Sequence, residues 1–379
     1  MDRILTALNL HKKLRGKLEI KSKISLSNRK NLSLMYTPGV AEAVKSIQND
    51  PEQVNNITIK NNTIAVITDG SAVLGLGNVG AEAALPVMEG KCAIFKEFAQ
   101  INAFPICLKS QNVEEIVMCV KNISPVFAAI NLEDISAPRC FEIERKLQNL
   151  DIPVMHDDQH ATAIVVLAGL INAVSVVNND LKKCKTVITG VGAAGTAVAK
   201  LLGFYGLKNI ILVDSKGIIS NKRNNLEGYK KDLLLFTNKD NQTGNLIHAA
   251  KNADILIGVS QKRIFTKDII QNLNDNAIVF ALANPDPEIT AVNAKKWGVA
   301  VYANGRSDNI NQVNNALVFP GFFKGLIQKR ITNITSKMKV NAAIALASLI
   351  KNPTSKRFIP AIFDKRIVSA IAGSITGNA

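Results

Sequence analysis

Apolar positions along the chain fall into short unbroken runs, separated by longer stretches of helical period. Runs at 63–68, 103–108, 126–131 and 152–156 read as strands, and the stretches at 112–121 and 137–149 read as helices between them. Unbroken apolar runs suit strands covered on both faces, so this alternation predicts βαβ units and a mainly parallel sheet. A helix carrying Pro86, Glu89 and Lys91 follows the first strand and a glycine-punctuated loop at 75–80. Another turn, Tyr36-Thr37-Pro38-Gly39-Val40, opens onto a helix, with Pro38 suited to an early helical position.

A long apolar helix at about 161–177 leads into a second alternating series. Its strands are expected at 185–189, 209–213, 254–258, 277–282 and 299–303, with C-terminal helices over 312–349. The Asn/Lys-rich stretch 221–245 fits neither period and reads as a surface excursion. The fold class is therefore α/β with two domains. Residues 1–158 form an N-terminal domain with a mainly parallel sheet, and 159–379 a Rossmann-like, doubly wound domain.

Three of the apolar runs end in carboxylates: Asp69 after 63–68, Glu133-Asp134 after 126–132, and Asp157-Asp158 after 152–156. Open α/β sheets bind ligands at the C-terminal ends of their strands. Carboxylates converging there would repel one another, and a hard divalent cation such as Mg²⁺ or Mn²⁺ would relieve that repulsion. Glu133, Asp134 and Asp158 are the candidate ligands. The same carboxylates could instead cap the helices that follow, because acids favour helix N-termini. His156 and His160 flank the third pair, and no cysteine or third histidine completes a zinc site with them.

Gly190-Val191-Gly192-Ala193-Ala194-Gly195 lies between a predicted strand and a predicted helix, and Asp214 ends the next strand. In this context the first glycine makes a tight turn, the second admits a pyrophosphate and the third packs helix on strand. The acid would accept hydrogen bonds from a ribose, which leans the cofactor toward NAD. Ser215 and Lys216 could instead hold the 2′-phosphate of NADP.

Composition narrows the class. The 379 residues are 47% apolar, 20% charged and 5% aromatic, so each domain can bury a core of aliphatic side chains. The net charge of +16 is spread along the chain without an arginine-rich arm, which predicts a basic surface and no nucleic-acid partner. Such a field attracts anionic substrates. Five cysteines without paired spacing read as reduced thiols of a cytoplasmic protein. No signal-peptide pattern opens the chain, and no apolar run has the length of a membrane span, so no membrane partner is expected.

Pattern alone nominates neither Lys91 nor Tyr36. In their segments, however, the chain resembles the malic enzymes in their shorter bacterial form, without a phosphotransacetylase-like extension. The resemblance is carried by Tyr36-Thr37-Pro38-Gly39-Val40, Asp69 to Gly77, Pro86 to Lys91, Ile130 to Ile135 and His156-Asp157-Asp158-Gln159-His160. It continues through Ala283 to Glu288, Gly305-Arg306-Ser307-Asp308 and Asn314 to Gly321, nearly the whole chain in order.

What the resemblance implies is oxidative decarboxylation of L-malate to pyruvate and CO₂ with NAD(P). Glu133, Asp134 and Asp158 would hold the metal. Lys91 would be the general base, its pKa lowered by burial and the nearby cation, with Asp157 beside it. Tyr36 would be the general acid, and Asn284 and Asn315, with Asn314 adjacent, would hold substrate carboxylates. Asn284 also lies where it would reach the cofactor, and a homodimer or homotetramer is implied.

The chain departs from the family at Ala128-Ala129 and Ala161, where members usually carry glycine. Alanine there is strained if the backbone needs a positive φ, and costs little if glycine serves only packing. Two rival readings share the layout: a metal-independent two-domain amino-acid dehydrogenase, and a non-catalytic metabolite-binding protein of the same fold.

Overall fold

The computed structural model describes residues 2–224 and 226–377. Four parallel strands make the first sheet: β1 (Thr63–Thr68), β2 (Asn102–Cys107), β3 (Ala129–Leu132) and β4 (Val154–His156), in the order β2-β1-β3-β4. All six residues of β1 are buried, as expected of a central strand covered on both faces. Pro105 lies in β2, an edge strand, where a missing N–H donor costs least.

The second sheet contains β5 (Lys185–Thr189), β6 (Asn209–Asp214), β7 (Gly217–Ile218), β8 (Ile255–Gly258), β9 (Ile278–Ala281) and β10 (Val301–Asn304). Its order is β10-β9-β8-β5-β6-β7, parallel except for the antiparallel β6–β7 hairpin. Strand order reverses between β1 and β3 in the first sheet and between β5 and β8 in the second. A crevice opens at such points beyond the C-terminal strand ends.

The helix Asp157–Val176 joins the two sheets and starts four residues earlier than its apolar pattern suggests. Fourteen of its residues are buried, so apolar positions surround the helix instead of striping it. By length and composition it could cross a membrane, yet it is the central core helix here. One continuous cluster takes in Val66 of β1, Phe95, Leu167, Ile188 of β5 and Phe280 of β9. The expected boundary at 158/159 thus falls inside a shared core element.

Of three C-terminal helices, Phe319–Gln328, Ser336–Ser348 and Arg366–Ser374, the second packs on the central helix and the third, unforeseen from the sequence, packs on the other two. Asn172 anchors the bundle by donating to the carbonyls of Ala347 and Phe358, both at 2.9 Å. The N-terminal arm differs in character. Leu10, Leu14, Ile20, Leu26, Leu34 and Met35 are all exposed.

Candidate active site

The carboxylates predicted at strand ends meet beyond the C-terminal ends of β1, β3 and β4. Glu133 follows β3, and Asp157 and Asp158 open the helix after β4, where the positive helix end favours acids. Oxygen atoms of Glu133, Asp157 and Asp158 lie within 4.8 Å of one another. Lys91, reaching in from the helix Ala81–Ala99, donates to Asp157 Oδ2 at 2.6 Å and contacts Glu133 Oε1 at 2.8 Å. Its Nζ also sits 4.3 Å from the centroid of the Phe319 ring.

None of these acids accepts a capping hydrogen bond from the helix that follows it, although Asp157 and Asp158 occupy a first helical turn. Asp157 accepts from Lys91 and from Asn315 Nδ2 at 2.5 Å. Asp158 accepts from the Asp134 backbone N–H at 2.8 Å, across from its own helix. Glu133 accepts from Asn131 Nδ2 at 2.8 Å. Asp134 has φ of +52°, a left-handed conformation uncommon outside glycine, though Asn and Asp adopt it more readily than other side chains. That conformation is held by its N–H to Asp158 and by its carbonyl, which accepts from Ala72 N at 2.9 Å. Asp69 stands behind this layer, paired with Arg139 at 2.9 Å and bonded to Ser71.

The electrostatics follow from burial. Removal from water pushes Glu133 and Asp157 above the usual carboxylate range and Asp134 up to about 8, with neighbouring carboxylates adding to the rise. The lowering expected for Lys91 needs a bound cation beside it, and without one the carboxylates decide its charge. Burial pulls it down, but Asp157, Glu133 and Asp158 outweigh that and hold it above its ordinary value. Asp134 Oδ2 and Asp157 Oδ1 are buried without a hydrogen-bond partner among the described residues. One lysine against four carboxylates, with orphaned oxygens, is a donor set that fits a hard divalent cation.

Behind the cluster lies a second buried chain of polar groups. Glu144 accepts from the His156 N–H at 2.8 Å and pairs with His160 Nε2 at 2.9 Å, and Lys339 Nζ lies 2.9 Å from His160 Nδ1. Lysine can only donate, so Nδ1 accepts and Nε2 carries the proton toward Glu144. His160 is thus structural.

The dinucleotide loop has its expected form. Gly190 follows β5 at φ +93°, and a Cβ on Gly195 would lie 1.8 Å from Gly190 O, so helix and turn can approach only with glycine there. A Cβ on Gly192 would meet nothing within 4 Å, which leaves room for a pyrophosphate. Ala193 and Ala194 begin the helix Ala193–Tyr205, whose start has no side-chain cap, leaving its first N–H groups for an anion.

Asp214, by contrast, is already engaged. Arg223 grips it with both guanidinium nitrogens at 2.9 and 3.1 Å, Lys230 at 3.2 Å and the Lys216 N–H at 2.9 Å. Ser215 and Lys216 form the turn between β6 and β7. The stretch 221–245 is therefore more than a surface excursion: Arg223 and Lys230 return to Asp214, and Tyr229 donates to Val191 O at 3.0 Å.

A cleft of about 450 Å³ is lined by Leu74, Asn284, Arg306, Gln312 and Asn314. A Cβ on Gly75 would lie 2.4 Å from Asn284 O, so this loop of the first domain closes tightly on the second. Asn314 spends its side-chain oxygen on the Ala316 N–H, while Asn315 reaches Asp157. Tyr36 stands apart: it is 66% exposed, and none of the cluster's hydrogen bonds or ion pairs involves it. The residues missed from sequence are Asn131, Arg139, Phe319, Arg223 and Lys230. Only Asn131 carried a signal, a polar position inside an apolar strand.

Two family models cover almost the whole chain: the malic enzyme N-terminal domain over residues 15–148 and the malic enzyme NAD-binding domain over residues 160–379. The chain belongs to the malic enzyme family. It is 48% identical to the bifunctional malic/malolactic enzyme of Bacillus subtilis, across 97% of this chain and 91% of that one. It is 47% identical to the NAD-dependent malic enzyme of Geobacillus stearothermophilus, across 95% and 76% of the two chains. The crystal structure of the NAD-dependent malic enzyme from Thermotoga maritima superposes with a TM-score of 0.95 at 43% identity, covering 98% of this chain and 99% of that one. Ala128, Ala129 and Ala161 are absent from the positive-φ positions, and Ala129 and Ala161 are fully buried, so alanine sits there without backbone strain.

Proposed function

We propose that the chain is an NAD- or NADP-dependent malic enzyme that converts L-malate to pyruvate and CO₂. The observation that carries this reading is the Lys91–Asp157–Asn315 chain of contacts, which ties the buried carboxylates to the residue next to Asn314 of the cleft. Glu133, Asp158 and Asp134 or Asp157 would hold Mg²⁺ or Mn²⁺. A bound cation would supply Lewis acidity at the substrate oxygen, and the nicotinamide would take the hydride.

The protein's own residues do the rest. Asn284 and Asn315 orient the substrate carboxylates. Lys91, once neutral, takes the proton of the C2 hydroxyl, and Asp157 at 2.6 Å is placed to exchange it. Water is kept from this step by burial: Lys91 is 8% exposed and Asp157 wholly buried. After CO₂ leaves, Tyr36 would protonate C3 once closure or a second copy brings it to the cluster from which it stands apart in the single chain. A homodimer or homotetramer is part of the proposal, supported by the apolar exposed arm around Tyr36, a surface that a second copy would cover. Its five free cysteines support a cytoplasmic setting.

The test is reduction of NAD and of NADP by purified protein with L-malate and Mn²⁺, with and without EDTA, together with mass in solution by light scattering. Cation-dependent reduction with pyruvate as product is expected from an oligomer. Reduction unaffected by EDTA would remove the cation from the reaction. No reduction by folded protein would leave the amino-acid dehydrogenase, tested by replacing malate with amino acids, or a binding protein.

A further inference from the structure

The ribose-reading acid of a dinucleotide fold needs free acceptor lone pairs facing the ligand. A carboxylate offers about four such positions. In this chain Asp214 has all of them filled: Arg223 Nη1 and the Lys216 N–H on Oδ1, Arg223 Nη2 and Lys230 on Oδ2. The side chains are largely buried, at 18% exposure for Arg223, 17% for Lys230 and 11% for Asp214. The contacts therefore form a built cluster at the end of β6. The carboxyl is held below its usual range because these donors outweigh the cost of its burial.

This arrangement changes what the position can read. A carboxylate excludes a 2′-phosphate by repulsion, and here that charge is neutralised by a guanidinium fork. The fork and the ammonium are the groups that hold phosphate best: Arg in bidentate geometry, Lys as a point charge. We propose that Arg223 and Lys230 form a 2′-phosphate site, so that NADP binds at least as tightly as NAD. Asp214 is the counter-ion that holds both cations in place until the phosphate takes them over. Asp214 considered without its partners points the other way, toward NAD.

The inference rests on the dinucleotide-binding reading of the Gly190–Gly195 loop, and the experiment separates the two. Isothermal titration of NAD and NADP into the full-length protein, without malate or cation, reads binding and not turnover. Wild-type protein is expected to bind NADP with a Kd equal to or below that for NAD. Arg223→Ala should weaken NADP by about tenfold or more and change NAD by less than about threefold, because only the phosphate uses the fork. Arg223→Lys keeps the charge, serves if the alanine variant does not fold, and should lose part of the NADP affinity. Wild-type NADP binding about tenfold weaker than NAD would overturn the proposal and leave Arg223 as an anchor for an NAD-reading acid. Equal losses for both cofactors in Arg223→Ala would overturn it as well. Failure of both cofactors to bind wild-type protein would instead remove the dinucleotide reading itself.

Discussion

Glu144→Gln isolates the worth of the buried Glu144–His160–Lys339 chain. The side chain is 13% exposed and accepts from the His156 backbone and the His160 ring. Burial alone would raise its pKa; His160, His156 and Lys339 outweigh burial and hold the carboxyl at about 2, against an ordinary 4.5. His160 is itself pushed toward its neutral form by burial. At neutral pH the compensating cation is therefore Lys339, whose own pKa burial brings down to about 8. A folded pKa below the unfolded one means the stabilisation is complete above the unfolded value and lost as pH falls toward the folded one.

The difference between 4.5 and about 2 corresponds to at most about 3 kcal/mol at pH 7, since the neutral His160 ring there adds a hydrogen bond and no charge. For a chain of this length that is a fall in Tm of at most roughly 4 °C. The glutamine keeps one acceptor but turns an amide N–H₂ toward donors, so it recovers little of the loss. The assay is urea or thermal unfolding of both proteins at pH 7, 5 and 3. The gap should be full at pH 7, nearly full at pH 5, and about half by pH 3. Equal stability at pH 7, or a gap that does not narrow between pH 5 and 3, would refute the reasoning.

Three further substitutions test separate parts of the site. Lys91→Ala should abolish malate turnover while leaving NAD binding within about twofold, measured by titration; wild-type turnover would remove Lys91 from its role. Gly195→Ala should cost roughly 1–3 kcal/mol and most dinucleotide affinity, since its Cβ would meet a backbone oxygen at 1.8 Å; unchanged NAD affinity would show that the turn can relax. Ala161→Gly, restoring the residue usual in the family, should lower stability by about 1 kcal/mol from the helix interior without raising kcat. A gain in rate would mean that the alanine restrains the site.

The strands were legible because a parallel strand buried on both faces is a run of apolar residues: β1 lies at the residues expected. β3 starts at Ala129, three residues later than its apolar run, because Pro125 opens a one-turn helix over Ser124–Val126. The central helix was read four residues short because Asp157, Asp158 and Gln159 look like loop, although acids suit a first helical turn. The carboxylate cluster could be anticipated as strand ends, but its choice over helix capping could not. That choice depends on Lys91, Asn131 and Asn315 arriving from three other elements. Arg223 and Lys230 were hidden for the same reason. Their stretch has no period, and their partner Asp214 is fixed by the return of the chain, which spacing does not encode.

The helix Asp157–Val176 also constrains how this protein can be recombined with its relatives. Its first turn carries two of the carboxylates, and its length is core to both sheets. A chimera joined anywhere between Asp157 and Val176 would put one parent's carboxylates on a shaft shaped to another parent's interior. A viable crossover must therefore leave this helix whole, together with the C-terminal helices that Asn172 ties to it. Natural shuffling of the two halves would face the same restriction: the nucleotide half can be exchanged only if it brings along the acids that serve the other half.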